Sequence, residues 1–571
     1  MKKKKYLITS ALPYANGPLH FGHLAGAYIP ADIVVRHKRL LDLETLFICG
    51  SDEHGVAIML NANKHKTPYK EYVDAWHKDH LELMNKYEIE FNYFGQTSSE
   101  YHAQETQRWF LELYEKGLVG TKDNQQLFCN DCKNHLPDRF VNGTCYQCGY
   151  PEARGDECPN CGIWVEPAKL KNPVCQICKS TNIEEVTVTQ YYLLLSKYHQ
   201  EFRKWFETKE SSWRKTVWPY VDSLTKEELV DRAISRDLDW GIDVPLKEAK
   251  GKKLYVWFDA PIGYVSNTKK YLEDIQSKEH YLKDWWKNKD TEILHFIGKD
   301  NIIFHTIIFP IMGMSTGFIN PPTDVPANQY VNLLGKQFSK SSGWYVDAKD
   351  ALDKFGSTAL RYYLISLIPE TSDSSFVWEN FKLKVNGELA NNIGNLVNRA
   401  MKFYKKNWPE GLDGKYFLGF ATSEYGKKLE EKLKEHNTYL NEIQIRKGLD
   451  LVMSIGHDAN NYFSEKQPWA TVKTDMEEAK KTIAWSAQYI LTLGILFAPY
   501  LPLLSKNILS LFESVLTDTA LKMMYRGEVN TLNDIFKNGM KLEKDPVALV
   551  PKIDDEVIKN LETQLLNKSV G

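Results

Sequence analysis

The sequence predicts an α/β protein with a parallel-sheet domain near its start, a cysteine-rich segment inserted into that domain, and a helical bundle after it. Three observations carry this. Short apolar runs ending in Gly, Pro, Asn or Asp alternate with helix-length stretches over the first half, as in a parallel sheet. Eight of the nine cysteines form four Cys-x-x-Cys pairs between Cys129 and Cys178. From about residue 358 the strand signals fade and long helical stretches replace them.

Taken in order, residues 6–10 read as a buried strand stopped by Pro13 and Gly17, and a helix follows from about 22 to 41. Residues 44–50 form a second apolar strand ending in a polar turn. Ligands of such sheets lie beyond the carboxyl ends of the strands, where His20, His23, Asp52 and His54 fall. Residues 116–185 are dense in Cys, Gly, Pro and Asn and lack periodicity, so they read as an inserted, loop-rich subdomain. Residues 254–258, 293–297 and 330–334 read as returning strands, each followed by small or polar residues. Helices are expected over 381–406, 423–463 and 476–512, as in a bundle. The last thirty residues read as a charged helix or tail packed loosely on the body.

A chain of 571 residues holds three or four domains, each with its own core. The formal net charge of -2 does not advertise nucleic-acid binding, so any RNA contact must use local basic patches. No apolar run approaches the roughly 18–20 residues that span a bilayer. The basic start is followed by Pro13, Asn16 and Pro18, so no signal peptide is expected. Without an export signal, four Cys-x-x-Cys pairs favour metal over disulfides, and the expected compartment is the cytoplasm.

Four groups of residues carry chemistry. His20-Phe21-Gly22-His23 stands at a strand-to-helix turn, where imidazole N–H groups meet phosphate oxygens near a positive helix end. Gly22 has no Cβ, so a flat base can lie on its backbone. Three hundred residues later, Gly335-Lys336-Gln337-Phe338-Ser339-Lys340-Ser341 offers two lysines that can neutralise charge as pyrophosphate leaves. Each of Cys129/Cys132, Cys145/Cys148, Cys158/Cys161 and Cys175/Cys178 offers two thiolates to a tetrahedral zinc, so about two structural ions are expected. Spacing alone leaves three possible pairings of these knuckles. Asn395 and Arg399, four apart, share one helix face.

The two signature strings resemble those of class I aminoacyl-tRNA synthetases. Ala11-Leu12-Pro13-Tyr14-Ala15-Asn16-Gly17-Pro18 before His20 makes the match long, and with the cysteines it resembles the methionyl-tRNA synthetase family from about residue 6 to 512. Phe21 replaces the usual Ile, and Gln337 replaces the first lysine of the Lys-Met-Ser-Lys-Ser motif, with Lys336 one position earlier. The resemblance implies a Rossmann-like catalytic domain with a zinc-knuckle insertion and an α-helical anticodon-binding bundle. It implies catalytic His20, His23, Lys336 and Lys340, with Gly22, Gly298, Asp300 and Lys340 holding ATP. Leu12, Tyr14, Trp257, Ala260, Pro261, Tyr264 and His305 would enclose the methionine side chain, where sulfur–ring contacts add modest energy. Asp52 would take its ammonium. Nested zinc pairing is implied, the inner Cys145/Cys148 with Cys158/Cys161 and the outer Cys129/Cys132 with Cys175/Cys178. Asn395, Arg399 and Trp469 would read the anticodon.

The expected organisation is a first catalytic half over 1–115, the zinc insertion over 116–225 and a second catalytic half over 226–325. A loop and stem-contact region over 326–380, an anticodon-binding domain over 381–540 and a tail over 541–571 complete it. The expected activity is methionine–tRNA ligation with ATP, Mg²⁺ and structural Zn²⁺, on tRNA(Met) including the initiator, by a monomer off the membrane. Leucine, isoleucine and valine enzymes of the class carry a large editing insertion, for which this insert is too short. A cysteine enzyme needs a zinc with an open position. A non-catalytic RNA-binding relative is argued against by the intact His20, His23, Asp52 and Lys340.

Overall fold

The computed structural model describes residues 4–155, 157–161, 163, 165–275, 280–338, 344–546 and 548–568. Its centre is a five-stranded sheet. From edge to edge the strands are Ala327–Asn328, Thr291–Gly298, Lys5–Ser10, Glu44–Ser51 and Tyr93–Gln96. Every pairing is parallel. Strand Lys5–Ser10 is central because Leu7, Ile8, Thr9 and Ser10 are all buried, the near-continuous pattern of a strand covered on both faces. Its neighbours are the next strand in the chain on one side and a strand nearly 300 residues later on the other. That reversal of strand order opens a crevice at the carboxyl ends.

The helix expected over 22–41 forms as Phe21–His23, Leu24–Tyr28 and Ile29–Leu40. The middle piece is a wide turn of π type, closed by Ile29 N–H on the Leu24 carbonyl. It lies just before Pro30, which has no N–H to continue a tighter ladder.

Three expectations needed correction. Residues 254–258 are not one strand: the strand Lys252–Leu254 ends there, and Val256–Asp259 is a helical turn. A short apolar run does not distinguish a strand from a buried helical turn. The strand near 330–334 forms as Val331–Leu333, but it pairs with Ser374–Phe376 outside the main sheet. The C-terminal segment is docked rather than loose. Helix Asp555–Lys568 buries Ile558 and Leu565, Lys382 pairs with Asp555 at 2.7 Å, and both amide groups of Asn386 bond the backbone of Ile553.

The cysteine-rich insert has a stem that its polarity concealed. Val119–Cys129 and Ile183–Leu193 pair antiparallel over eleven positions, from Val119↔Leu193 to Cys129↔Ile183. Much of this ribbon is exposed, and its first strand, Val119–Cys129, lacks apolar alternation. Beyond residue 378 the helices Asn395–Asn407, Glu424–Asn441, Ile445–Lys466 and Met476–Phe497 pack into a bundle. One buried cluster runs from Ile8 and Phe21 through this bundle to Leu565, joining the sheet domain to the helices.

Candidate active site

A cavity of about 900 Å³ opens at the strand-order reversal. One wall is the turn that starts the Phe21–His23 helix. His20 caps that helix: its Nδ1 accepts from Gly22 N–H at 3.1 Å, and its own backbone N–H donates to His23 Nδ1 at 3.1 Å. Both Nδ1 atoms are thus acceptors, so each neutral ring carries its proton on Nε2. The rings stack at 3.8 Å. Gly22 lines the cavity beside them.

The segment carrying the second signature enters by a tight hairpin. Leu333 and Lys336 exchange both backbone hydrogen bonds, at 2.7 and 3.0 Å, around Leu334 and Gly335 with φ of 48° and 80°. Two consecutive positive φ values are those of a type I′ turn, which explains the glycine. Phe338 then lays its ring on His20 at 4.6 Å with planes 4° apart. Gln337 and Phe338 line the cavity. Lys336 does not: its ammonium lies 5.3 Å over the Trp344 ring. Lys340 lies outside the described residues.

The amino-acid end of the cavity is built from aromatic rings, two of which, Tyr264 and His305, bond each other. Trp257 stacks on Phe304 at 4.1 Å. His305 gives its Nδ1–H to the Asn301 carbonyl at 3.0 Å, so its Nε2 accepts the Tyr264 hydroxyl at 2.8 Å. Burial pushes His305 down to about 4 and Tyr264 well above its usual value, so both stay neutral. Leu12, Ala260 and Pro261 complete the wall, and Tyr14 stands at its mouth, 36% exposed.

Asp52 is the exception in this neutral lining. It is 7% exposed, and its Oδ1 has no hydrogen-bond partner among the described residues. Burial first, then the nearby Asp259 carboxylate, pushes its acid group well above the usual carboxylate range. A buried acceptor without a partner is costly, and a ligand cation would satisfy it. At the other end, Asp300 also lines the cavity. A Cβ on Gly298 would come within 2.6 Å of Asp300 Oδ1, so the close approach requires glycine there.

Sequence reasoning missed several contributors. Phe304 and Phe338 line the cavity, and nothing in their local sequence marks them for it. His295 underlies Tyr264 at 5.4 Å and is held by Thr9 at 2.6 Å, yet it looks like any strand histidine. Arg139 and Glu157 reach the cavity from the insertion, and no local pattern signals that.

The cysteines gather into two groups, Cys129/Cys132/Cys175/Cys178 and Cys145/Cys148/Cys158/Cys161, the nested arrangement expected. Sulfur–sulfur distances of 3.5 and 3.7 Å in the outer group and 3.6 and 3.9 Å in the inner one exclude disulfides. They fit a tetrahedral zinc, whose ~2.3 Å bonds set sulfurs about 3.8 Å apart. Each group could hold one ion.

In the bundle, Asn395 and Arg399 are exposed on one helix face. The Arg399 guanidinium lies 5.3 Å over Phe463 and 5.5 Å over Trp469. Trp469 is 40% exposed, far more than packing requires. Gln467 precedes Pro468 with φ of 42°, a left-handed turn that separates helix Ile445–Lys466 from the short helix bearing Trp469.

A strand-order crevice with stacked imidazoles on one wall, met by the loop that leads to Lys340, is the site of a class I aminoacyl-tRNA synthetase. The comparisons narrow that class. A family model for class I tRNA synthetases (M) matches residues 6–401, and one for the anticodon binding domain of methionyl tRNA ligase matches 396–568. The methionine–tRNA ligase of Pyrococcus furiosus is 41% identical over 517 residues, 88% of this chain and 71% of the relative. That of Rubrobacter xylanophilus is 34% identical over 583 aligned residues, 100% of this chain and 98% of the relative. Among solved structures, Mycobacterium tuberculosis methionyl-tRNA synthetase in complex with methionyl-adenylate shares the fold, with a TM-score of 0.76 at 22% identity over 96% of this chain and all of that one. The chain belongs to the methionyl-tRNA synthetase family.

Proposed function

We propose that this cavity joins L-methionine and ATP to methionyl-adenylate and that the chain then passes the methionyl group to tRNA(Met), initiator included. The observation that carries this is the buried, partnerless oxygen of Asp52, which lines the cavity beside the mutually bonded Tyr264 and His305. Such a pocket suits an uncharged thioether with an α-ammonium at one end. Asp52 takes the ammonium. Leu12, Tyr14, Trp257, Ala260, Pro261, Tyr264 and His305 enclose the side chain.

In the first step the methionine carboxylate oxygen bonds to the α-phosphorus and the bond to the pyrophosphate oxygen breaks. No covalent enzyme intermediate is needed. The Nε2–H groups of His20 and His23, with the Lys340 ammonium, stabilise the charge that grows on the phosphate oxygens. Gly22, Gly298 and Asp300 hold the adenosine. Mg²⁺ accompanies ATP as a phosphate counter-ion. Lys336, held over Trp344, contributes less than Lys340.

The expected domain boundaries belong to the same proposal. So do the monomeric state and the cytoplasm; among the described residues no helix is long and apolar enough to cross a membrane. Zinc in both Cys₄ groups would be structural, since four thiolates leave no open position. Elemental analysis of native protein should find about two zinc ions per chain, and Cys175→Ser should remove one of them. Zinc-free native protein would contradict the assignment.

The bundle is proposed to read the anticodon, with Trp469 as a stacking surface and Arg399 and Asn395 as polar contacts. Arg399→Ala and Trp469→Ala should each lower kcat/KM for charging tRNA(Met) about 10- to 100-fold, following the ~1–3 kcal/mol per stacked base. Adenylate formation without tRNA should stay within about twofold. Equal losses in both reactions would place these residues elsewhere in the mechanism.

A further inference from the structure

His54 and Asp259 form a buried pair behind the cavity. His54 Nδ1 lies 2.9 Å from Asp259 Oδ2, with side-chain exposures of 5% and 0%. Each partner lies close in the chain to a pocket residue. His54 follows Asp52 by two positions in the turn just past strand Glu44–Ser51. Asp259 closes the turn Val256–Asp259 that presents Trp257. The His54 backbone N–H faces the Asp52 carboxylate and favours its charged form. Trp240 braces the same turn from outside, its ring meeting His54 edge-on at 5.5 Å while its indole N–H bonds the Glu53 carbonyl at 2.6 Å. Asp259 Oδ1, like Asp52 Oδ1, is buried without a partner among the described residues.

We infer that His54 and Asp259 are positioning residues for methionine binding: their pairing locks the turn that aims Asp52 at the ammonium to the turn that holds Trp257. This rests on the reading of Asp52 given above. The pair also sets the charge around Asp52. The carboxylates facing Asp52 are Asp259 and Glu53, and the hydroxyls of Tyr14 and Tyr264 are near it, with Arg139 beyond Tyr14 on the same cavity. Asp259 is the larger of the two like-charge influences. Removing its charge while keeping its hydrogen bond should make Asp52 ionise at lower pH.

The test is the pH dependence of methionine-dependent ATP–pyrophosphate exchange in the zinc-loaded full chain. Methionine binding needs Asp52 ionised, so kcat/KM for methionine falls on the acid side. Asp259→Asn should move that acid limb down by roughly half a pH unit or more. His54→Ala should raise the methionine KM about tenfold while kcat changes less than threefold, because His54 touches no reacting atom. His54→Asn, whose amide stands in for the Nδ1–H donor, should restore most of the KM. Zinc content and kcat at saturating methionine report that each variant is folded.

An acid limb that stays in place in Asp259→Asn, or a His54→Asn variant that rescues nothing, would overturn the inference. Asp52→Asn separates the two layers. If it leaves the methionine KM unchanged, the reading of Asp52 itself fails. If it raises KM sharply while Asp259→Asn leaves the profile in place, only the positioning inference fails.

Discussion

His20→Ala and Lys340→Ala each lower the rate of methionyl-adenylate formation about 10²- to 10³-fold, the ~2.7–4 kcal/mol of one preorganised donor to a developing oxyanion. The effect should fall on kcat rather than on the methionine KM, because in the proposed reaction these groups meet charge that exists only in the transition state. For His20 the geometry supports the size of the effect. Its Nδ1 is occupied by Gly22 N–H and its plane is fixed between His23 and Phe338, so little reorganisation accompanies the reaction. Lys336→Ala lowers the rate far less, since its ammonium is held over Trp344 rather than in the cavity. Single-turnover measurement of adenylate formation separates the three variants. A Lys336 effect equal to that of Lys340 would move the phosphate contact to the earlier lysine.

Asp52→Asn raises the methionine KM roughly 30-fold or more, corresponding to about 2–5 kcal/mol for removing one partner of a buried charge pair. The same substitution stabilises the free protein. The folded-state acid constant of Asp52 is raised by burial and by Asp259. A raised carboxylate favours the fold below its unfolded value, and this contribution is lost as pH rises through the folded value. Above the unfolded value the raised acid constant therefore works against folding, and asparagine relieves it. Thermal unfolding without methionine should show a higher Tm for Asp52→Asn than for the parent at pH 7. The gap should narrow as pH falls, and saturating methionine should stabilise the parent more than the variant. A lower Tm in the variant at neutral pH would mean that Asp52 has a counter-charge in the free protein.

Much of this site was legible in the sequence because its parts sit at ends of elements. His20, His23, Asp52 and Gly298–Asp300 follow apolar runs that do become strands of one parallel sheet. The four knuckles carry their own spacing, and the sulfur positions follow the nested pairing. What escaped lay where apolarity gives no period. Residues 256–258 are apolar but helical, because the strand pairing ends at Leu254. In the stem ribbon, strand Val119–Cys129 offers no apolar alternation, and its partner Ile183–Leu193 alternates only briefly around Val186 and Val188. The His54–Asp259 pair joins positions 205 residues apart, and only the fold makes them neighbours. Trp257 and Trp469 were nominated by family resemblance. The structure places one in an aromatic stack at the cavity and the other, exposed, beside Arg399.

The measurement that bears most directly on the central claim is ATP–pyrophosphate exchange with each of the twenty amino acids in turn, on zinc-loaded protein. The neutral aromatic pocket with one buried carboxylate predicts exchange with methionine and none of comparable kcat/KM with the other nineteen. Exchange driven best by another amino acid, or by none with or without tRNA(Met), would contradict it.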